Sequence, residues 1–236
     1  MLSVVTWKWG TLFGPEYVLR LKSMLARHLH MDHRLWCVTD DPTLQYDVHC
    51  LPMFTDHAEM KAGARSCFRR LRMFDRSFGE LVGERILHLD LDCVLVDDVT
   101  PLFDRPDPLV LVKQAETKRT NGTTRVTHNP SMVLFDAGVL HEMWAQFHAN
   151  PSKTWADARG QGWSCSDMSI INDYLHKHRA TVPAATWDEA DGVQAYWKRD
   201  AKLLKPGARI VLFFGNHNPH DERVQQQSPW IAEHWK

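Results

Sequence analysis

Apolar positions along the chain change period several times, and each change marks an element. Ser3 to Trp7 is short and rich in β-branched residues, which predicts a first strand. Gly10 and Gly14 mark a loop, and Pro15 suits the first position of a helix. After it, Tyr17, Val18, Leu21, Met24, Leu25, His28 and Leu29 recur at helical spacing and give that helix one apolar face. Arg34 to Thr39 reads as a second strand, closed by Asp40-Asp41-Pro42, and Val48 to Leu51 as a weak third. Residues 65–76 predict a basic helix, with Cys67, Leu71, Phe74 and Phe78 on one side and Arg65, Arg69, Arg72 and Arg76 on the solvated one.

Arg85 to Val96 is the strongest strand signal. Pro108 to Lys113, Ser131 to Phe135 and Ala208 to Phe213 predict further strands, and 139–148 and 166–178 predict helices. The polar, Gly-containing stretches 114–129 and 150–165 read as loops. The polar tail after Asp221 ends with Trp230 and Trp235, which would pin it to the body. Strands alternating with helices predict a mainly parallel sheet with covering helices, an α/β fold with a Rossmann-like nucleotide-binding half.

Two carboxylates interrupt the apolar strand at Asp90 and Asp92. Unpaired buried charge is costly, so the pair needs a partner. On a strand, residues i and i+2 share a face, which would set the two carboxylates about 6–7 Å apart on one side. Hard divalent cations such as Mg²⁺ and Mn²⁺ take oxygen donors of this kind. The alternative is an edge strand with a solvated acidic face.

Composition narrows the function classes. The 236 residues suit one α/β domain, and a formal net charge of -1 argues against a general nucleic-acid footprint. The five cysteines include no C-x-x-C pair and read as free thiols in a reducing, cytoplasmic setting. The start, MLSVVTWKWG, lacks the pattern of a signal peptide, and no apolar run is long enough for a membrane span. Membrane contact is therefore not indicated, and the oligomeric state is not readable. Asn121-Gly122-Thr123 fits a glycosylation sequon only by pattern.

Taken in order, VVTWKWGTLFGPEYVLRLKSM, HRLWCVTDDP, CFRRLRMFD, RILHLDLDCVLVDDVTPLFD, NPSMVLFDAG, SDMSIINDYL and LFFGNHNPHD span most of the chain. This ordered set resembles bacterial and phage glycosyltransferases of the glycosyltransferase-A fold, related to the glycogenin and lipopolysaccharide galactosyltransferase group. The resemblance implies one glycosyltransferase domain over 1–236. Residues 1–104 would form the nucleotide-binding half, ending in the Asp-x-Asp strand, and 105–236 the acceptor half and C-terminal return. It also implies a nucleotide-sugar donor, expected to be a UDP-sugar, a glycan, lipid or protein acceptor, Mn²⁺ or Mg²⁺, and transfer with retention.

Residue by residue, the resemblance places Thr6, Trp7 and Lys8 at the nucleotide base, and Asp90 and Asp92 at the metal. Asn129 and Asp167 would contact the donor sugar as catalytic-site residues. His217 is the nearest candidate for the family's late metal-binding histidine. Pro130-Ser131, Met168 and Asn218 depart from the family pattern at positions that normally hold a small-Gly pair, a Gln and a phosphate-contacting Lys. Arg70 lies beside the apolar side of the basic helix and would reach the donor diphosphate; its alternative is a salt bridge to a neighbouring acid. Trp163, in the loop before Asp167, would meet the acceptor or fill core. Asp40 is compatible with a ribose contact, while Asp97, Asp98 and Asp104 suit turns and caps.

Two rivals stay open. A haloacid-dehalogenase-type phosphatase also carries Asp-x-Asp on an apolar strand, but normally on the first strand of the chain. A degenerate, non-catalytic binder of sugar nucleotides or glycans would fit the substitutions at Met168, Phe214 and Asn218.

Overall fold

In the computed structural model, the described residues are 1–60, 66–118, 124–196, 203–215 and 217–236. The elements run β1 (Leu2–Lys8), α1 (Pro15–His28), β2 (His33–Thr39), β3 (His49–Pro52), α2 (Arg76–Val82), β4 (Arg85–Leu89), β5 (Cys93–Leu95) and α3 (Thr100–Phe103). They continue with β6 (Leu109–Lys118), β7 (Thr124–Asp136), α4 (His141–Ala149), α5 (Pro151–Gly160), α6 (Asp167–Lys177) and β8 (Ala185–Trp187). The last are β9 (Val193–Tyr196), β10 (Ile210–Phe213), α7 (Glu222–Gln227) and α8 (Trp230–His234). A seven-stranded sheet has the order β3-β2-β1-β4-β7-β6-β8, and a three-stranded sheet the order β5-β10-β9. The expected α/β class is therefore observed.

The chain divides into two compact units, one of residues 1–52, 87–106 and 187–236, the other of 53–86 and 107–186. In the first, β1, β2 and β3 pair in parallel. All seven residues of β1 are buried. Helix α1 begins at Pro15 and buries Tyr17, Val18, Leu21, Met24 and Leu25, as its spacing predicts. Each such side chain contributes about 1.5–3 kcal/mol on leaving water. The tail is held as expected: Trp230 and Trp235 are buried, and Trp235 packs against Tyr17 with ring centroids 5.0 Å apart.

In the second unit, β6 and β7 pair antiparallel. The expected loop 114–129 is thus largely a hairpin, with the sequon at 121–123 outside the described residues. The expected loop 150–165 holds α5, opened by Pro151 and capped by Asn150, whose side chain accepts from Lys153 N. The expected basic helix is a 3-10 helix over Phe68–Phe74 followed by α2. With about three residues per turn, Phe68, Leu71 and Phe74 fall on one buried face. Arg76 is exposed, but Arg72 is half-buried, 3.2 Å from Asp75 and over the rings of Phe54 and Trp144. Arg65 lies outside the described residues. Among the described residues, no helix is long and apolar enough to cross a membrane.

Candidate functional site

The candidate residues fall on both units. On the first, β1 delivers Thr6, Trp7 and Lys8, all buried. Thr6 Oγ1 has no hydrogen-bond partner among the described residues. Lys8 Nζ sits 3.2 Å from Asp41 Oδ2 and donates to the Gly10 carbonyl at 3.3 Å. Asp40 Oδ2 accepts from Gly10 N at 3.0 Å. Gly10 itself has φ +60, a left-handed conformation that favours glycine. The Asp41 carboxyl is held below its ordinary range by hydrogen bonds from Thr43 and then by Lys8. A buried cation and two acids thus close the loop that follows β1.

The acidic pair is placed differently from the expected continuous strand. β4 stops at Leu89, Asp90 follows it, Leu91 and Asp92 form a turn, and β5 opens at Cys93 in the other sheet. Strand pleat therefore does not set the direction of the two carboxylates. The chain changes sheets at this point. That lets Asp90 and Asp92 remain half-exposed while Leu91 between them is buried.

Two contacts hold the turn. The fully buried His88 donates from Nδ1 to the Val5 carbonyl at 3.2 Å, and its Nε2 lies 3.2 Å from Asp90 Oδ1. The N–H of Phe213, at the end of β10, donates to the Asp92 carbonyl at 3.2 Å. Both carboxylates act on one buried thiol. Cys93 is pushed well up by burial, then by Asp92 and Asp90.

After β10, His217 and His220 occupy different surroundings. The His217 ring lies 5.8 Å from that of Tyr196. His220 Nδ1 is hydrogen-bonded to the Tyr17 hydroxyl, and its Nε2 is 3.4 Å from Asp221 Oδ1. Tyr17 is held protonated by burial first, then by the charges of Asp92, Asp221 and Glu16. Of the two imidazoles, His220 is therefore the one tied to a tyrosine that feels Asp92. Among the described residues, no group of three or more His, Cys, Asp and Glu side chains is arranged to hold a metal ion.

On the second unit, Arg70 and Asp167 come together although 97 residues separate them. Arg70 donates from Nε at 3.0 Å and from Nη2 at 2.6 Å to Asp167 Oδ2. Their residue exposures are only 7% and 4%, so this charge pair is screened little by solvent. Ser166 Oγ donates to Asp167 Oδ1 at 3.2 Å and accepts from Cys67 N at 2.9 Å. Asp167 also opens α6, where a helix N-terminus favours negative charge.

Asn129 sits at a break in the β6–β7 ladder. Leu111 pairs with Val133 but its neighbour Val112 pairs with Asn129, so Pro130, Ser131 and Met132 bulge out. Proline, with no N–H to offer a ladder, is suited to such a place. Asn129 Oδ1 closes the bulge by accepting from Ser131 N at 2.8 Å. Trp163 is buried, with the Arg125 guanidinium carbon 3.2 Å from its ring centroid, so that face is already covered.

Two positioning residues escape sequence reasoning. His88 was readable only as the residue two before Asp90. Asn172 carried no signal, yet it joins α6 to β7. Its Oδ1 accepts from His128 N at 2.7 Å, and its Nδ2 donates to the carbonyls of His128 and Met168, each at 2.8 Å. The strand carrying Asn129 and the helix carrying Asp167 are thereby tied together.

No protein-family model matches the chain, and no curated protein matches it. Solved structures do. The galactosyltransferase LgtC, in complex with donor and acceptor sugar analogues, superposes with a TM-score of 0.66 at 13% identity, covering 98% of this chain and 96% of that one. The glycosyltransferase GlyE of Streptococcus pneumoniae gives 0.64 at 12% identity, covering all of this chain and 62% of its own length. Its apo form gives 0.61 at 12% identity, covering 99% and 60%. At such identities the likeness is one of fold.

Proposed function

We propose that this chain, which has the glycosyltransferase-A fold, is a nucleotide-sugar-dependent glycosyltransferase with Asp90 and Asp92 as the carboxylates of its metal site. The observation that carries the proposal is the half-exposed pair in the turn where the chain leaves β4. Residues 1–104 are the proposed nucleotide-binding half, with Thr6, Trp7 and Lys8 toward the base.

The donor chemistry fits a hard cation. Carboxylate donors such as Asp90 and Asp92 suit Mg²⁺ or Mn²⁺, which commonly completes its shell with substrate phosphates and water. When bound, such a cation would neutralise charge on the leaving diphosphate. His88 orients Asp90 for this role. His217 is the expected third ligand, and His220 is held apart from that role by its bond to the Tyr17 hydroxyl.

Asn129 and Asp167 are the proposed donor-sugar contacts, with Asp167 fixed by Arg70 and Ser166. In this role Arg70 orients a sugar-binding carboxylate, donating to it from Nε and Nη2. For a UDP-sugar and a glycan-type acceptor, transfer with retention would bring the acceptor hydroxyl in on the leaving-group side. The departing diphosphate would then receive its proton. The departures from the family pattern at Met168, Phe214 and Asn218 support a second reading, donor binding without turnover.

One experiment separates these. Nucleoside diphosphate release is followed with Mn²⁺ across a panel of nucleotide sugars, beside donor binding by calorimetry. The expected result is turnover that falls by about 10²–10³-fold in Asp92→Ala, the size seen when an electrostatic stabiliser is removed. The melting temperature should stay unchanged. Donor binding with neither hydrolysis nor transfer would leave the binding protein; no binding by any donor would remove both readings.

A further inference from the structure

The first unit has a cavity at the opposite ends of the strands that lead to Lys8 and Asp40. Its volume is about 530 Å³, within the range of small-ligand sites. Lys22 of α1, His33 and Arg34 at the start of β2, Gln45, Asp47, and His49 at the start of β3 line it. β1 and β2 run in register from Leu2↔His33 to Lys8↔Thr39, so the cavity lies about 20 Å along the strands from the Lys8 end.

Its polar groups divide by charge. Lys22 and Arg34 bring two permanent cations, and among the described residues neither is paired with a carboxylate. Lys22 Nζ donates to the Asp47 main-chain carbonyl at 2.6 Å, which anchors the ammonium at the cavity. The Arg34 guanidinium lies over the Trp36 ring, 5.9 Å from its centroid. Trp36 pairs in register with His49, and their rings stand 5.1 Å apart. Arg34 and His49 thus share one aromatic support. A guanidinium, an ammonium and the His49 imidazole offer donors to phosphate oxygens, while His33 Nδ1 already donates to the Met31 carbonyl at 2.8 Å. The Asp47 carboxylate would repel a bare phosphate but accept from hydroxyl groups, and the Gln45 amide can bond hydroxyls either way.

We propose that this cavity is a binding site for a phosphorylated sugar, its phosphate on Lys22, Arg34 and His49 and its hydroxyls on Asp47 and Gln45. The site is separate from the acidic pair and does not depend on the transferase proposal.

The test titrates the full chain, in chelator so that no divalent cation is present, with a hexose 1-phosphate, inorganic phosphate and free hexose, read by backbone amide NMR. Saturable shifts at His33, Arg34, Gln45 and His49 are expected, with the sugar phosphate tighter than phosphate and free hexose silent. Arg34→Gln and Lys22→Gln, both at exposed positions, should each weaken the sugar phosphate about tenfold, the size of one lost charged contact. Asp47→Asn should weaken the sugar phosphate but leave inorganic phosphate as tight or tighter. Asp92→Ala should leave the sugar-phosphate affinity and these shifts as in the parent. The proposal is overturned if neither anion saturates, if Arg34→Gln and Lys22→Gln bind as the parent does, or if the shifts map to Asp90–Cys93. Equal affinity for sugar phosphate and phosphate, unmoved by Asp47→Asn, would remove the sugar.

Discussion

The two units handle their acids in opposite ways. On the first, Asp90 and Asp92 lie in a turn between two sheets and remain half-exposed, with the Asp90 side chain 21% accessible. On the second, Asp167 is buried and held on both oxygens by Arg70 and Ser166. A half-exposed acid pair is screened by solvent and adds less to stability than a buried one. A buried, fully bonded ion pair fixes geometry, and removing one partner leaves an uncompensated charge. Loss of function and loss of stability should therefore separate between the units.

The sharpest way to break that contrast is Asp167→Ala. It strands the Arg70 guanidinium, and a cost of about 3–5 kcal/mol in denaturant unfolding is expected. Asp92→Ala should cost less than about 1 kcal/mol in the same measurement while removing turnover. The double substitution Arg70→Met with Asp167→Leu should recover most of the lost stability, because both charges are gone. It should not recover turnover if Asp167 contacts the donor sugar. Recovery of both would make the pair purely structural.

A smaller effect is expected at Asn172. Asn172→Ala leaves the His128 N–H and two carbonyls without their side-chain partner, at a cost of about 1–3 kcal/mol. Because Asn172 ties β7 to α6, kcat/KM should fall through weaker donor binding, seen as a higher KM with little change in kcat. An unchanged KM with the same loss of stability would show that the tie does not position Asn129 and Asp167.

How far these features were readable from sequence follows the same division. β1, α1 and β2 each present one clear period, and the α1 face from Tyr17 to Leu25 is buried as its spacing requires. The pair at 90 and 92 stood out because charge in an apolar run needs a reason. The break in the strand did not, because Leu91 in the turn and Cys93 to Leu95 in the second sheet are buried like Ile86 to Leu89 in the first. Apolar continuity carries no mark of a sheet change. The outer parts of β6 and β7 are made by pairing rather than burial: residues 114–117 are exposed and 124–127 half-exposed. Helix α5 buries only Ala158, too little for a periodic signal. The Arg70–Asp167 pair and the Asn172 tie are tertiary, and no local pattern encodes a partner tens of residues away.

The smallest expected effect is one of pH, and it tests whether the second unit is the acid-sensitive one at its candidate site. His128 is buried next to Asn129, and its Nδ1 donates to Asn172 Oδ1 at 3.2 Å. Burial lowers its pKa below the ordinary 6.5, and the Asn172 bond only partly offsets this. In the unfolded chain the same imidazole takes its proton near 6.5. Between the two values the unfolded state therefore holds more protons, and stability rises with pH. The contribution of His128 is fully present above about pH 6.5 and is lost as the pH falls through the folded value, at up to about 1.4 kcal/mol per pH unit. His57, His28 and His234 are shifted down as well, by burial first, and act in the same direction. The measurement is thus a difference: His128→Gln, which cannot titrate, should show a shallower loss of stability from pH 7.5 to 5.5 than the parent. Amide exchange, corrected for its intrinsic pH dependence, locates the effect. The His128 amide, bonded to Asn172, should lose protection over this range. The Phe213 amide, bonded to the Asp92 carbonyl, should keep it. Equal loss at both amides would mean that acid acts on the whole chain, and the contrast between an open acidic turn and a sealed, proton-sensitive tie would fail.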